Sequence, residues 1–263
     1  MKKLILLITL ITAIVSGLIL TGCTRVLISD SGASTTTRDY DFTDFTGIEI
    51  GHAFELEITY SDTYKVSITA GKNMLDRIDV SKVGDTLKID MDNWVFNWNS
   101  TPKATITMPV LRSLDCSGAS KGNVLGFKSS EDFTLKLEGA SDLDIDMEVG
   151  EFNSEISGAS KLIGYLKASK SRIEVSGAGE AKLTGSGGNL ILDGSGACHV
   201  GLSGFQVDDA DIELSGASDA SVYVSGKMDV TVSGASSLEY SGNPTMGRLD
   251  ISGASDIEQK TTP

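Results

Sequence analysis

Histidine, cysteine and proline are scarce in this sequence: its 263 residues hold two, three and four of them. With only His52 and His199 present, few serines could find an imidazole base. Positive charge is short too. Lys and Arg number 22 against 36 Asp and Glu, a formal net charge of -14, which repels phosphate backbones, so no nucleic-acid partner is expected. Glycine, by contrast, is abundant at 29 residues, and without a Gly-X-Y period it marks repeated turns or close approaches rather than collagen.

One long apolar run, Leu4 to Leu20, follows Lys2 and Lys3 and ends in Leu20-Thr21-Gly22-Cys23. A positive start, an apolar stretch and small residues before a cysteine make an export signal, with an uncleaved membrane helix as the alternative. The last four residues resemble a bacterial lipobox, which implies cleavage after residue 22 and lipidation of Cys23. Each buried methylene adds about 0.8 kcal/mol, so two or three acyl chains hold a protein firmly on a membrane. Residues 23–39 then read as a lipidated cysteine and a polar tether.

Beyond residue 112 the sequence repeats itself. Gly118, Gly139, Gly158, Gly177, Gly196, Gly216, Gly234 and Gly253 are each followed by alanine, at gaps of 21, 19, 19, 19, 20, 18 and 19. Four and two residues before each glycine stand mostly apolar residues, Leu114 and Cys116 in the first case, Val230 and Val232 in a later one. Period two means strand, and a coil of about nineteen residues is too short for a strand plus a crossover helix. The expected fold is all-β: a right-handed parallel β-helix over 113–258, with a polar tail at 259–263. Equivalent residues stack about 4.8 Å apart, so a tight corner is needed in every coil. Whether alanine or its Gly and Ser neighbours face the core stays open at this point.

Residues 40–112 lack the phrase but alternate as strands, and read as an antiparallel β region capping the first coil. One expected hairpin joins Phe54–Tyr60 to Val66 and Ile68 through Tyr-Ser-Asp-Thr. A second joins Ile78 and Val80 to Leu87, Ile89 and Met91 through Gly84-Asp85. At the far end Glu258, Lys260 and Pro263 either guard the edge of the last coil or leave it to pair with another copy.

The stretches "FTGIEIGHAFELEITYSDTYKVSITAGKNMLDRI", "GDTLKIDM" and "ATITMPVLRSLDCSGAS", with the Ser-Gly-Ala-Ser ladder after them, resemble the head GIN domain family of auto-transporter adhesins. That resemblance covers most of the chain after the tether and implies a β-helical protein that is either an envelope lipoprotein or secreted; with the lipobox, the expected place is extracytoplasmic and membrane-anchored, at the cell surface, in the periplasm or on the outer membrane. No Gly-Ile-Asn tripeptide occurs, so no functional residue is carried over.

Several constellations bear on chemistry. Gly118-Ala119-Ser120-Lys121-Gly122 matches the G-x-S-x-G pattern, but its serine is one rung of a repeating column and lacks a histidine partner. Asp208, Asp209 and Asp211 are candidate paired carboxylates for a polysaccharide lyase or hydrolase, the low-ranked enzyme alternative, and His199 reads as a polar face residue. Cys116 and Cys198 lie four coils apart, about 19 Å, too far for a disulfide, and are expected as buried free thiols. Trp94, Phe96 and Trp98 share one strand face and serve either as a lid on the coil or as a stacking surface for sugars or a partner chain. Three residues before the marker glycines, Glu155, Glu174, Asp193 and Glu213 form an acidic column. It is either a screened solvated face or a weak cation ladder for calcium, helped by Ser157, Ser176, Ser195 and Ser215. The function expected is a non-catalytic, adhesin-like or envelope-organising binding surface without cofactor, partnered by the membrane, a cell-surface glycan or an envelope protein. The alternative is a carbohydrate-binding module or polysaccharide-active enzyme.

Overall fold

The computed structural model describes residues 35–91 and 101–260. The leader, Cys23 and the tether as far as residue 34 lie outside the described residues, as do Trp94, Phe96, Trp98 and Pro263, while residues 35–39, expected as tether, are instead strand, held by pairing with residues 67–71. Two parallel ladders of strands face each other across one apolar core, and each coil of about 19 residues adds one strand to each ladder.

The first ladder stacks β6 (Thr86–Met91), β2 (Gly47–Ile50), β8 (Ser113–Cys116), β10 (Phe133–Leu137) and β12 (Glu151–Ile156). It continues through the second halves of β13 (Lys161–Val175), β14 (Glu180–Gly194) and β15 (His199–Leu214), then β17 (Lys227–Val232) and β19 (Thr245–Ile251). The second ladder stacks β7 (Lys103–Met108), β3 (Glu55–Tyr60), β9 (Lys121–Lys128) and β11 (Asp142–Glu148). The first halves of β13, β14 and β15 follow, then β16 (Asp219–Val224), β18 (Ser237–Gly242) and β20 (Asp256–Gln259).

Each coil turns between the ladders at Ser-Gly-Ala. All eight marker glycines have φ between +71° and +90°, where a side chain is strained. The alanine after each one donates its N–H to the corner residue of the coil before, at 2.7–2.8 Å. Glycine and alanine face solvent and the following residue turns inward: Ser120, Ser141, Ser160, Ser218 and Ser236 are all buried. Their hydroxyls are satisfied within the stack, for the Ser160 and Ser236 Oγ atoms accept the N–H of Ser141 and Ser218 at 3.3 and 3.2 Å. Cys198 holds the same place in its coil.

The N-terminal region both caps the stack and extends it. β2 with β3, and β6 with β7, add two rungs to the parallel ladders, and the chain lays the inner rung before the outer one. β5 (Ile78–Val83) closes β6 antiparallel, while β4 (Lys65–Gly71) closes β7 and β1 (Thr35–Tyr40) closes β4. A short helix, α1 (Lys72–Leu75), joins β4 to β5 and buries Met74 and Leu75. The expected hairpin across Gly84-Asp85 is present, pairing Val80 with Ile89. The one expected across Tyr-Ser-Asp-Thr is not. β7 lies between β3 and β4, because both edges of β3 are already taken by the parallel neighbours β7 and β9. Alternation marked both segments as strands but could not name their partners.

Candidate functional site

Register brings the acidic column together as the sequence spacing requires. Glu155 pairs with Glu174, Glu174 with Asp193, and Asp193 with Glu213. These four carboxylates and Ser176, Ser195 and Ser215 line a shallow trough of about 270 Å³ on the outer face of the first ladder.

Carboxylates one rung apart repel unless a cation lies among them. Arg172, on the neighbouring outward column, does this: its Nε donates to Glu174 Oε1 at 2.6 Å and an Nη to Asp193 Oδ2 at 2.8 Å. Arg248, four coils on, reaches back two coils to lie 2.9 Å from Asp211 Oδ1 and 3.9 Å from Glu213 Oε1. The hydrogen bond to Glu174 raises the Arg172 pKa. Burial, opposed by Arg172, raises that of Asp193, and the like charges of Glu174, Glu213 and Asp211 add to the rise. Among the described residues no group of three or more His, Cys, Asp or Glu side chains is arranged to hold a metal ion. Sequence reading had the acidic column but missed its arginines. The signal was available, since Arg172 and Arg248 both stand five residues before a marker glycine.

A larger hollow lies on the second ladder, at the edge away from the Ser-Gly-Ala corners. The run Gly185-Ser186-Gly187-Gly188 leaves one coil almost without side chains, and a notch of about 850 Å³ opens there. Phe205 from the next coil fills the core beneath Gly187, where a Cβ would stand 2.9 Å from its ring. Glu148, Lys167, Gln206, Asp208 and Tyr223 wall the notch. Lys128 and Lys167 approach Glu148 at 2.9 and 3.5 Å, and the hydrogen bond from Lys128 holds the Glu148 carboxyl below the usual carboxylate range. Tyr165 is 42% exposed and leans over Gly185, with Cε2 3.2 Å from where a Cβ would be.

The remaining candidates have structural occupations. Asp209 Oδ1 accepts the Lys227 N–H at 2.6 Å, Asp208 Oδ1 lies 3.4 Å from Ser225 Oγ, and Asp211 pairs with Arg248. His199 is exposed on the second ladder, between Glu180 and Asp219 in register. Ser120 points into the core, accepting the Phe54 N–H at 3.3 Å, which is the reverse of an exposed nucleophile. Cys116 and Cys198 are buried free thiols, and burial pushes the Cys116 pKa up to about 12.

His52 was passed over by sequence reading and holds a special place. Ala119 donates to its carbonyl as every later alanine does to a marker glycine, so His52 heads the glycine column, at φ +68°. A Cβ at each marker would point toward the corner of the coil before it. The coil before His52 belongs to the capped end, and there its Nδ1 lies 2.8 Å from Asp90 Oδ1 instead of striking another corner.

Comparison with known proteins agrees with this architecture. The crystal structure of a "putative adhesin" from Parabacteroides merdae superposes with a TM-score of 0.81 at 16% identity, covering 87% of this chain and 97% of that one. One from Bacteroides fragilis, also a "putative adhesin", gives 0.67 at 22% identity, with 86% and 97% covered. A "putative lipid binding protein" from Parabacteroides distasonis gives 0.77 at 17%, with 87% and 98% covered. No curated protein matches in sequence. The family model described as "Putative auto-transporter adhesin, head GIN domain" matches residues 44–166 and 150–244. With most of its length matched by that model, the chain belongs to the auto-transporter adhesin, head GIN domain family.

Proposed function

We propose that this chain is a non-catalytic, adhesin-like protein of the cell envelope, held on a membrane through lipidated Cys23 and presenting its solenoid as a binding surface. The observation that carries this reading is the repeated outer face. Stacked coils set the same polar columns side by side over the whole length of a rigid core, which suits an extended partner better than a small substrate. Family membership supports the adhesin-like role, and the lipobox-like Leu20-Thr21-Gly22-Cys23 supports the anchor. In cells fed radiolabelled fatty acid, the chain should take up label and Cys23→Ser should not. Cells bearing the chain should bind envelope material from their own kind more than cells lacking it. Equal binding by both would overturn the adhesin-like role, and an unlabelled chain would overturn the anchor.

A second reading, sugar binding, is favoured by the notch. Tyr223 in its wall offers an aromatic face for a sugar ring, with exposed Tyr165 outside the lining over the adjoining Gly185, and Glu148, Lys167, Gln206 and Asp208 offer the acceptors and donors that hydroxyls require. On a glycan array, binding that survives in the parent and disappears in Tyr165→Ala/Tyr223→Ala would support it; no glycan retained by the parent would rule it out.

A further inference from the structure

The two ends of the solenoid differ. At one, β5, β4 and β1 close both ladders. At the other, among the described residues, no strand lies beyond β19 and β20, and the core columns end at exposed side chains. Met246, Leu249 and Ile251 are 37%, 48% and 50% exposed, whereas Val230, Ile212 and Leu192, the residues stacked behind Leu249, are fully buried. The N–H groups of Ser252 and Ala254 point back to the preceding coil. Strand alternation therefore turns the N–H and C=O of Leu249 and Ile251 toward the open edge. An apolar cross-section rimmed by unsatisfied backbone groups is a template for another strand.

We propose that this end pairs with the same end of a second copy, β19 against β19, about a two-fold axis through Leu249. The other end is closed, so head-to-tail stacking has no open partner, whereas an isologous contact needs only this one surface. A two-fold axis normal to the sheet makes the strands antiparallel. Leu249 then faces the partner's Leu249 across the extended core, Arg248 faces the partner's Asp250, and Asp250 faces the partner's Arg248. Charge selects this register: a centre one residue away sets arginine against arginine or aspartate against aspartate. In the single chain Arg248 turns back along the same outer face to Asp211 and Glu213, and pairing would turn it toward the partner's Asp250.

Thr35 enters the fold at the closed end, in β1. The pair therefore carries its two chain entries at opposite extremes, and with the anchor proposed above it would join two membranes. That consequence rests on the anchoring reading; the pairing does not.

The test is disulfide trapping of the full-length protein, solubilised in mild detergent and oxidised with copper phenanthroline. Directly opposed residues of a hydrogen-bonded antiparallel pair have Cα atoms about 5.5 Å apart, within disulfide reach. Leu249→Cys should give a covalent dimer well above the parent background. Val83→Cys, whose residue is 60% exposed at the closed end, should not. In the Leu249→Cys background, Arg248→Asp should cut the yield at least tenfold, and Arg248→Asp/Asp250→Arg should restore it. A Leu249→Cys protein that stays monomeric overturns the proposal, whether the thiol is open to maleimide or shielded by some other segment. An undiminished yield in Arg248→Asp, or no recovery in the charge-swapped variant, overturns the register. Loss of lipid label in Cys23→Ser leaves the trapping result untouched.

Discussion

Replacing Gly158 by alanine tests why the Ser-Gly-Ala phrase recurs. Gly158 sits at φ +75° in the middle of the stack, and a Cβ there would stand 2.4 Å from the Gly139 carbonyl oxygen of the coil before. Two costs follow. Holding a residue with a side chain in the left-handed region costs about 1–2 kcal/mol. The clash is with backbone, so the two corners must separate, which lengthens the 2.7 Å hydrogen bond from Ala159 N–H to that same oxygen. A typical hydrogen bond is worth about 0.5–1.5 kcal/mol, so the expected loss is about 2–3 kcal/mol. Gly201→Ala is the control: its Cβ would come no closer than 3.5 Å to any atom, that of the flexible Lys182 side chain, and its φ is not positive. It should change stability by no more than about 0.5 kcal/mol. Urea unfolding followed by circular dichroism would read both as midpoint shifts at constant slope. If Gly158→Ala moves the midpoint no further than Gly201→Ala does, the corner is not sterically determined and the account of the repeat fails.

Three further outcomes are expected. Burial raises the Asp193 carboxyl pKa, so its charge destabilises the fold above that raised value and the penalty fades as pH falls and the group protonates. Asp193→Asn should therefore raise the melting temperature at pH 7, with the gain shrinking in acid; a lower melting temperature at pH 7 would refute the sign. Ser160→Ala removes the acceptor of the buried Ser141 N–H and should cost about 1–3 kcal/mol in urea, whereas Cys198→Ser, which restores the usual residue of that column, should stay within about 1 kcal/mol. Equal losses would mean that the inward serines are not holding the corners. Cys116, with its pKa pushed up to about 12, and the buried Cys198 should resist iodoacetamide at pH 8 and react fully in urea, and labelling of the native protein would contradict their burial.

Periodicity alone determined the solenoid. A nineteen-residue repeat with period-two alternation admits short parallel strands and tight corners and little else, and each residue's column follows from its distance to a marker glycine. The acidic column was legible for that reason. Pairing partners in the N-terminal region were not, because alternation says that β3 and β4 are strands but not that β7 is threaded between them. Nor could the sequence decide which residue of the phrase faces inward, since glycine, alanine and serine are all small. The left-handed corner decided it, swinging glycine and alanine out and the next serine in. Arg172 neutralises Glu174 and Asp193 across columns, and the notch at Gly185–Gly188 exists because the coils on either side have larger side chains where this one has only that of Ser186. Both depend on lateral distance between coils, a coordinate that a linear sequence does not carry. The difference between the closed end and the open one is likewise tertiary. β5 and β4 close the stack only because the later strands β6 and β7 pair with them, and β1 only because it pairs with the distant β4, whereas among the described residues β19 and β20 have no strand beyond them.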